Sequence, residues 1–278
     1  MPTITLPDGT TRSFEGTITP YAIALDISEG LAACAVGARI NGELSDVHAP
    51  IEKDAEVKIV TARKGEKESD PDALMLIRHS CAHVMAEAIQ RVHPKAKLVY
   101  GPALDNGFYY DISFDDDQPL SSEEFEAIEI EMKAIIKENR PFTRYELSAD
   151  EGMTKLASEG SKYKIDNAER AIEAGSKTLT WYATGTPNEN WEDLCRGPHV
   201  PNTGHIGAFT LQSIASSYWH GDADSDRLTR VYGTAFVHKK QLKSHLKLLE
   251  EAKKRDHRVI GKKLGLFHID EMVGQGLL

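Results

Sequence analysis

The sequence predicts an α+β protein built as a small mixed unit, a larger two-layer unit and a long helix at its end. Three observations carry that prediction. The chain has 278 residues, about two domains at roughly 150 residues each. Strand-like alternation and helix-like periodicity are interleaved along the chain, which favours sheets with helices packed on them. Hydrophobic residues make up 40% and charged residues 27%, ordinary for a globular protein and too apolar for disorder. No window approaches the roughly 18 consecutive apolar residues of a membrane span. The first residues lack the basic and apolar regions of a signal peptide. Cys34, Cys81 and Cys195 are too few and too scattered for a disulfide framework. Secreted, membrane-embedded and collagen-like classes are excluded on these grounds, and a reducing cytoplasm is expected.

The elements follow in order. Thr3–Leu6 and Thr11–Phe14 alternate around Pro7-Asp8-Gly9, which predicts a hairpin. Pro20 directly after Thr19 starts a helix through Ile27. Short strands are expected near Ala35–Ile40, Gly42–Ser45 and Glu56–Val60. The charged run from Ala62 to Pro71 reads as a linker, across which few contacts are expected because it offers little apolar surface. The second unit opens with a helix over Pro71–Val92, where Leu74, Ile77, Cys81, Val84, Met85 and Ala88 recur at helical spacing. A second helix is expected over Ser122–Glu138, ending before Pro141. A third spans Ala149–Ser158, with Ser148 and Glu151 placed for a capping box. Strands are expected at Phe108–Ile112, Lys177–Ala183, Ala208–Gln212 and Leu228–Phe236, and one long helix over Lys239–Leu264.

The net charge is −10, but between Lys239 and Lys263 there are ten Lys/Arg against three Asp/Glu. A basic helix on an acidic body suits either phosphate contact at one place or a solvated helix face. The chemistry-bearing residues form two clusters. His79 and His83 stand four apart on the first helix of the second unit, so both imidazoles face one side. Cys81 lies about 200° round the helix from them and is expected in the core. Downstream, Gly197-Pro198 breaks any helix in Asp193-Leu194-Cys195-Arg196-Gly197-Pro198-His199, so Cys195 and His199 project from a turn. Two histidines on a helix with Cys and His on a turn make a four-ligand set of zinc type. The same side chains can instead place a water for hydrolysis without metal, with Asp193 orienting a histidine or accepting a proton. Tyr109 and Tyr110, if on a strand, point to opposite sides. Trp219 and His220 fit either nucleotide stacking or an aromatic core, and Asp105-Asn106-Gly107 reads as a turn.

Several longer runs carry a resemblance. Arg78–His83, Gly101–Asp111, Asp193–Pro201, Tyr218–Asp222, Arg230–Phe236 and Lys254–Arg258 resemble, in family order, the bacterial threonyl-tRNA synthetases. The first sixty residues are similar to that family's TGS domain, which implies a ubiquitin-like β-grasp fold. The resemblance implies the layout 1–62 TGS domain, 63–71 linker, 72–238 editing domain, 239–264 connecting helix and 265–278 the start of a class II catalytic domain. On that reading the chain is an N-terminal fragment, and the ATP and zinc of the whole enzyme belong to the catalytic domain it lacks.

The implied chemistry is hydrolysis of mischarged seryl-tRNA(Thr), with tRNA(Thr) as the partner, no membrane, and a homodimer only for the whole enzyme. A missing methyl is worth only roughly 1–3 kcal/mol in binding, so a second site that admits serine and refuses threonine supplies the discrimination. The resemblance places His79, His83, Cys195, His199 and Asp193 in the editing pocket, matches Lys164 to the family's editing-site lysine, and favours Tyr110 and Arg196 for substrate contact. It implies no cofactor for editing. The competing readings are a zinc-dependent hydrolase of the alanyl type, with zinc on His79, His83, Cys195 and His199, and a non-catalytic tRNA-binding module.

Overall fold

The computed structural model describes residues 1–63, 69–114 and 120–264. Most of the expected linker and the whole expected 265–278 segment lie outside the described residues. In the first unit, β1 (Thr3–Thr5) and β2 (Thr11–Ser13) pair antiparallel, and Asp8 closes their turn by accepting the Thr10 N–H at 3.0 Å. The helix α1 (Pro20–Ile27) is capped by Thr19, whose hydroxyl accepts the Ala22 N–H. One further turn, α2 (Glu29–Ala32), precedes β3 (Ala35–Ile40), β4 (Glu43–Ser45) and β5 (Ala55–Thr61). The sheet order is β2-β1-β5-β3-β4, with β1 and β5 parallel. Ile23 of α1 packs with Ile4, Ala38 and Val57 of the sheet. This mixed sheet crossed by a helix is the β-grasp arrangement.

The second unit is organised by α3 (Pro71–Val92), started by the Asp70 carboxylate, which accepts the Asp72 N–H. It is buried nearly all round. Ala73, Leu76, Ile77, Cys81, Val84, Met85 and Ala88 are fully enclosed, as the periodicity requires for most of them. The strands β6 (Lys97–Tyr100), β7 (Ala103–Leu104) and β8 (Gly107–Ser113) lead, after a single 3₁₀ turn, to α4 (Phe125–Glu138). Asn139 ends α4 in the left-handed region at φ 52°. Next come β9 (Phe142–Ser148), α5 (Ala149–Glu159), α6 (Lys162–Glu173), β10 (Thr178–Thr184) and β11 (Glu192–Leu194). Then β12 (Ala208–Tyr218) and β13 (Arg227–Phe236) complete the strands. They form two sheets: β11-β10-β9, and β12-β13-β8-β6 with β7 paired to β8. The α5 cap is the expected reciprocal box between Ser148 and Glu151. Leu156 and Ala168, from α5 and α6, pack on Leu179 and Trp181 of β10.

Three expectations are corrected. The helix expected to run unbroken over 239–264 is two, α7 (Lys239–Lys254) and α8 (His257–Leu264). The chain breaks where Lys253-Lys254-Arg255 sets cations at a helix C-terminus and Asp256 stands at a favoured N-cap position. The helix α6 and the strand β9 were not expected, because charged residues fill them: Lys162, Lys164, Asp166, Glu169 and Arg170 hide the stripe of Tyr163, Ala168 and Ile172. Finally, the first unit is not a loosely tethered neighbour. Val36 and Val60 share a core with Ala73, Leu76 and Ile77 of α3, and Arg39 holds Asp72 through two nitrogens at 2.7 Å. Gly37 makes this contact possible, because a Cβ there would stand 2.5 Å from Leu76 Cδ1. The charged linker hid an apolar seam made elsewhere.

Candidate active site

The two clusters separated in sequence meet in one place. Helix α3 turns His79 and His83 toward the 195–199 turn, while Cys81 stays fully buried on the core side. The turn leaves β11 after the Cys195 N–H donates to the Thr180 carbonyl at 2.9 Å. It then passes through a cis Gly197-Pro198 peptide. His79 Nδ1 lies 3.1 Å from the Pro198 carbonyl oxygen. A carbonyl only accepts, so Nδ1 carries the proton, and in the neutral ring Nε2 keeps its lone pair. That nitrogen faces Cys195 Sγ at 3.4 Å. His199 Nε2 is 3.5 Å from the same sulfur, and its Nδ1 is 3.1 Å from Ser80 Oγ. The His199 ring is stacked between Phe142 and His79, at 4.8 and 4.2 Å between centroids. His83 meets His199 and Trp191 edge-on.

Burial lowers the proton affinity of all three imidazoles. His83 and His199 fall well below the ordinary value, and the charges of neighbouring histidines press the same way. At His79 the Pro198 hydrogen bond and Asp193 offset part of the effect. Burial also pushes the Cys195 thiol up to about 12, so it is a thiol and not a thiolate nucleophile at neutral pH. The metal-free cluster is therefore uncharged at neutral pH.

A stability prediction follows with a definite sign. Folded histidines held below the unfolded value of about 6.5 bind fewer protons than the unfolded chain once the pH drops beneath it. Stability of the metal-free protein should then fall with pH, by up to about 1.4 kcal/mol per histidine per pH unit. The urea midpoint should change little just below pH 7.5 and fall progressively as the pH is lowered through about 6.5 to 5.5; a flat midpoint would contradict neutral burial of these rings.

A second group stands beside the first. Lys164 on α6 places Nζ 2.6 Å from Asp193 Oδ1 and 3.0 Å from the Tyr110 hydroxyl, which donates to Asp193 Oδ2. Lys164, Asp193 and Tyr110 are each at most 6% exposed. Tyr110 is the inward ring of its pair. Tyr109 points away, with the Arg230 guanidinium 4.0 Å from its centroid. Both groups open on a cleft of about 1010 Å³, whose wall includes His79, His83, Tyr110, Lys164, Asp193 and Cys195. Arg196 is exposed at its rim. His199 is not on that wall; it lies behind, 1% exposed. Trp219 packs edge-on to Tyr163, and His220 stacks on it, an aromatic cluster with Val99 and Leu228.

Residues 2–61 match the family model described as the TGS domain. Residues 182–232 match the one described as the threonyl and alanyl tRNA synthetase second additional domain. The chain is 45% identical over 273 residues to the threonine–tRNA ligase of Marinobacter nauticus, covering 98% of this chain and 40% of that protein. It is 44% identical to that of Burkholderia mallei over 271 residues, with coverage of 98% and 40%. For Acidithiobacillus ferrooxidans the figures are 45% over 278 residues, 100% and 41%. Over nearly its whole length the chain is similar to the threonine–tRNA ligases of these bacteria, and the TGS and second-additional-domain matches lie within it. It spans about two fifths of the length of the curated relatives it matches.

The second-additional-domain match holds Asp193, Cys195, Arg196 and His199 but not His79, His83, Tyr110 or Lys164. The site is completed from α3, β8 and α6. Ser80, Phe142, Tyr182 and Asp46 also shape it and were not singled out in the sequence. Ser80 lies inside the quoted Arg78–His83 run, whereas Asp46 is 153 residues from its partner His199 and carries no local signal. Among the described residues, the donor atoms of His79, His83, Cys195 and His199 lie within 4.8 Å of one another. His83 Nδ1 is buried without a hydrogen-bond partner. Three imidazoles and a thiol at this spacing fit a zinc ion. No helix among the described residues is long and apolar enough to cross a membrane.

Proposed function

We propose that this chain is the proofreading part of a threonyl-tRNA synthetase, hydrolysing seryl-tRNA(Thr) by attack of water on the aminoacyl ester. The observation that carries the reading is the meeting of a neutral His/Cys cluster and a buried Lys164–Asp193–Tyr110 group at one cleft. A water between them adds its oxygen to the ester carbonyl carbon while an imidazole of His79 or His83 takes its proton. The Lys164 ammonium stands on the cleft wall as the donor for the developing oxyanion, while the Tyr110 hydroxyl, whose proton goes to Asp193, steadies the pair. The carbon–oxygen bond to the terminal ribose then breaks. The ribose oxygen recovers the proton from the imidazolium, leaving serine and a free hydroxyl on tRNA(Thr). Asp193 fixes Lys164 and Tyr110; Arg196 at the rim offers a cation to the terminal phosphates. The layout proposed is residues 1–62 as TGS domain, 72–238 as editing domain and the helices of 239–264 as connector. In the whole cytoplasmic, homodimeric enzyme, ligation of threonine to tRNA(Thr), with its ATP and zinc, falls to domains beyond this region.

The second reading rests on the metal-compatible donor spacing. A zinc ion on His79, His83, Cys195 and His199 would supply a polarised water or carbonyl. The deciding measurement is deacylation of seryl-tRNA(Thr) by the purified chain before and after chelation, with metal content measured in parallel. We expect hydrolysis that survives chelation. About one zinc per chain, lost together with activity, would establish the zinc hydrolase. Binding of tRNA without any acceleration of deacylation would establish a non-catalytic module.

A further inference from the structure

The turn that carries Cys195 and His199 is held from behind by the other domain. Asp46, just after β4, accepts the His199 backbone N–H through Oδ1 at 2.7 Å. Its Oδ2 accepts the Tyr182 hydroxyl at 2.5 Å. Tyr182 rises from β10, and its ring meets the His199 ring at 4.5 Å between centroids. The same hydroxyl fills the space that Gly197 leaves open, since a Cβ on Gly197 would stand 2.1 Å from it. Gly197 sits at φ +73°, a left-handed conformation that an L side chain resists. One carboxylate therefore fixes both the main chain of the turn and the ring wedged against it.

The attachment of Asp46 is itself rigid. The seam of Val36, Val60 and Leu76 and the Arg39–Asp72 pair seat the first unit on α3, the helix that carries His79 and His83. Leu44, two residues before Asp46, lies on the cleft wall. Both halves of the histidine cluster thus take their position from contacts with the first unit.

We propose that Asp46 is a positioning residue of the hydrolytic site, so that the N-terminal β-grasp unit is an integral part of the active centre. The inference rests on the deacylase reading for its kinetic arm, and only there. Its structural arm is amide exchange at His199, which needs no substrate. Asp46→Ala removes both carboxylate oxygens, so the His199 N–H and the Tyr182 hydroxyl lose their shared acceptor. In this variant the His199 amide should exchange at least about ten times faster, because its acceptor is lost. In deacylation of seryl-tRNA(Thr), kcat should fall about tenfold or more with KM within about twofold, since misplacement by about 1 Å can cost 10²-fold. Tyr182→Phe, which removes only the second bond, should shift both readouts in the same direction by less. Arg12→Ala removes an exposed ion pair with Asp26 in the same unit, away from both seam and turn, and should leave kcat unchanged.

Faster His199 exchange with a kcat loss confined to the Asp46 and Tyr182 variants supports the proposal. Unchanged exchange in Asp46→Ala, or an equal kcat loss in Arg12→Ala, overturns it. A wild-type chain without deacylase activity would defeat the deacylase reading, while the exchange experiment would still decide whether Asp46 holds the turn.

Discussion

Replacing Lys164 by methionine should be among the most damaging single changes in this protein. Its ammonium is buried against Asp193 at 2.6 Å, and its loss leaves a carboxylate enclosed with only the Tyr110 hydroxyl. Breaking a buried pair from one side costs about 3–5 kcal/mol, a large share of the roughly 5–15 kcal/mol that stabilises a domain. Chemical denaturation of Lys164→Met should show a loss of that size. The double variant Lys164→Met with Asp193→Leu should recover much of it, because no uncompensated charge remains. Neither variant should hydrolyse seryl-tRNA(Thr) at a useful rate. A single variant as stable as the wild type would mean that Asp193 is neutral or solvated, contrary to the geometry described.

The second large effect is expected at the helix histidines. His83→Ala and His79→Ala should slow seryl-tRNA(Thr) hydrolysis by about 10²–10⁴-fold if their imidazoles handle the water proton. Removing His83, which is 2% exposed, also opens space beside the 195–199 turn, so the residual activity should discriminate less well against threonine. Cys81→Ala provides the contrast: that side chain is fully buried on the far side of α3. It should cost roughly 1 kcal/mol of stability and leave selectivity alone. Steady-state deacylation of both esters by the three variants checks this, and unchanged serine rates in both histidine variants would remove the imidazoles from the mechanism.

Much of this was legible in the sequence, for local reasons. Proline at a helix start, capping pairs such as Ser148 and Glu151, and uninterrupted helical periodicity mark α1, α3, α4 and α5 from a few neighbouring residues. The His79–His83 spacing and the turn at Gly197-Pro198 are equally local, and they supply three side chains of the cleft wall and His199 behind it. What was hidden depends on distance or on masking. Charged residues disguise α6, although its Lys164 faces inward to a buried partner. The seam between the units depends on Val36, Val60 and the missing side chain of Gly37, and none of these stands in the linker whose charge suggested separation. Asp46 belongs to the first unit yet serves the second, a relation fixed only when both are folded.

The most direct test of the central claim is a side-by-side time course of seryl-tRNA(Thr) and threonyl-tRNA(Thr) with the purified chain. The cleft is expected to admit the serine side chain, while the packed main chain of α3 and of the 195–199 turn stands where threonine's extra methyl would go. A single methyl contributes roughly 1–3 kcal/mol, or about 10–200-fold. Seryl-tRNA(Thr) should be hydrolysed faster than the threonyl ester by a factor in that range or above. Equal rates for the two esters, or no acceleration of either over buffer, would contradict it.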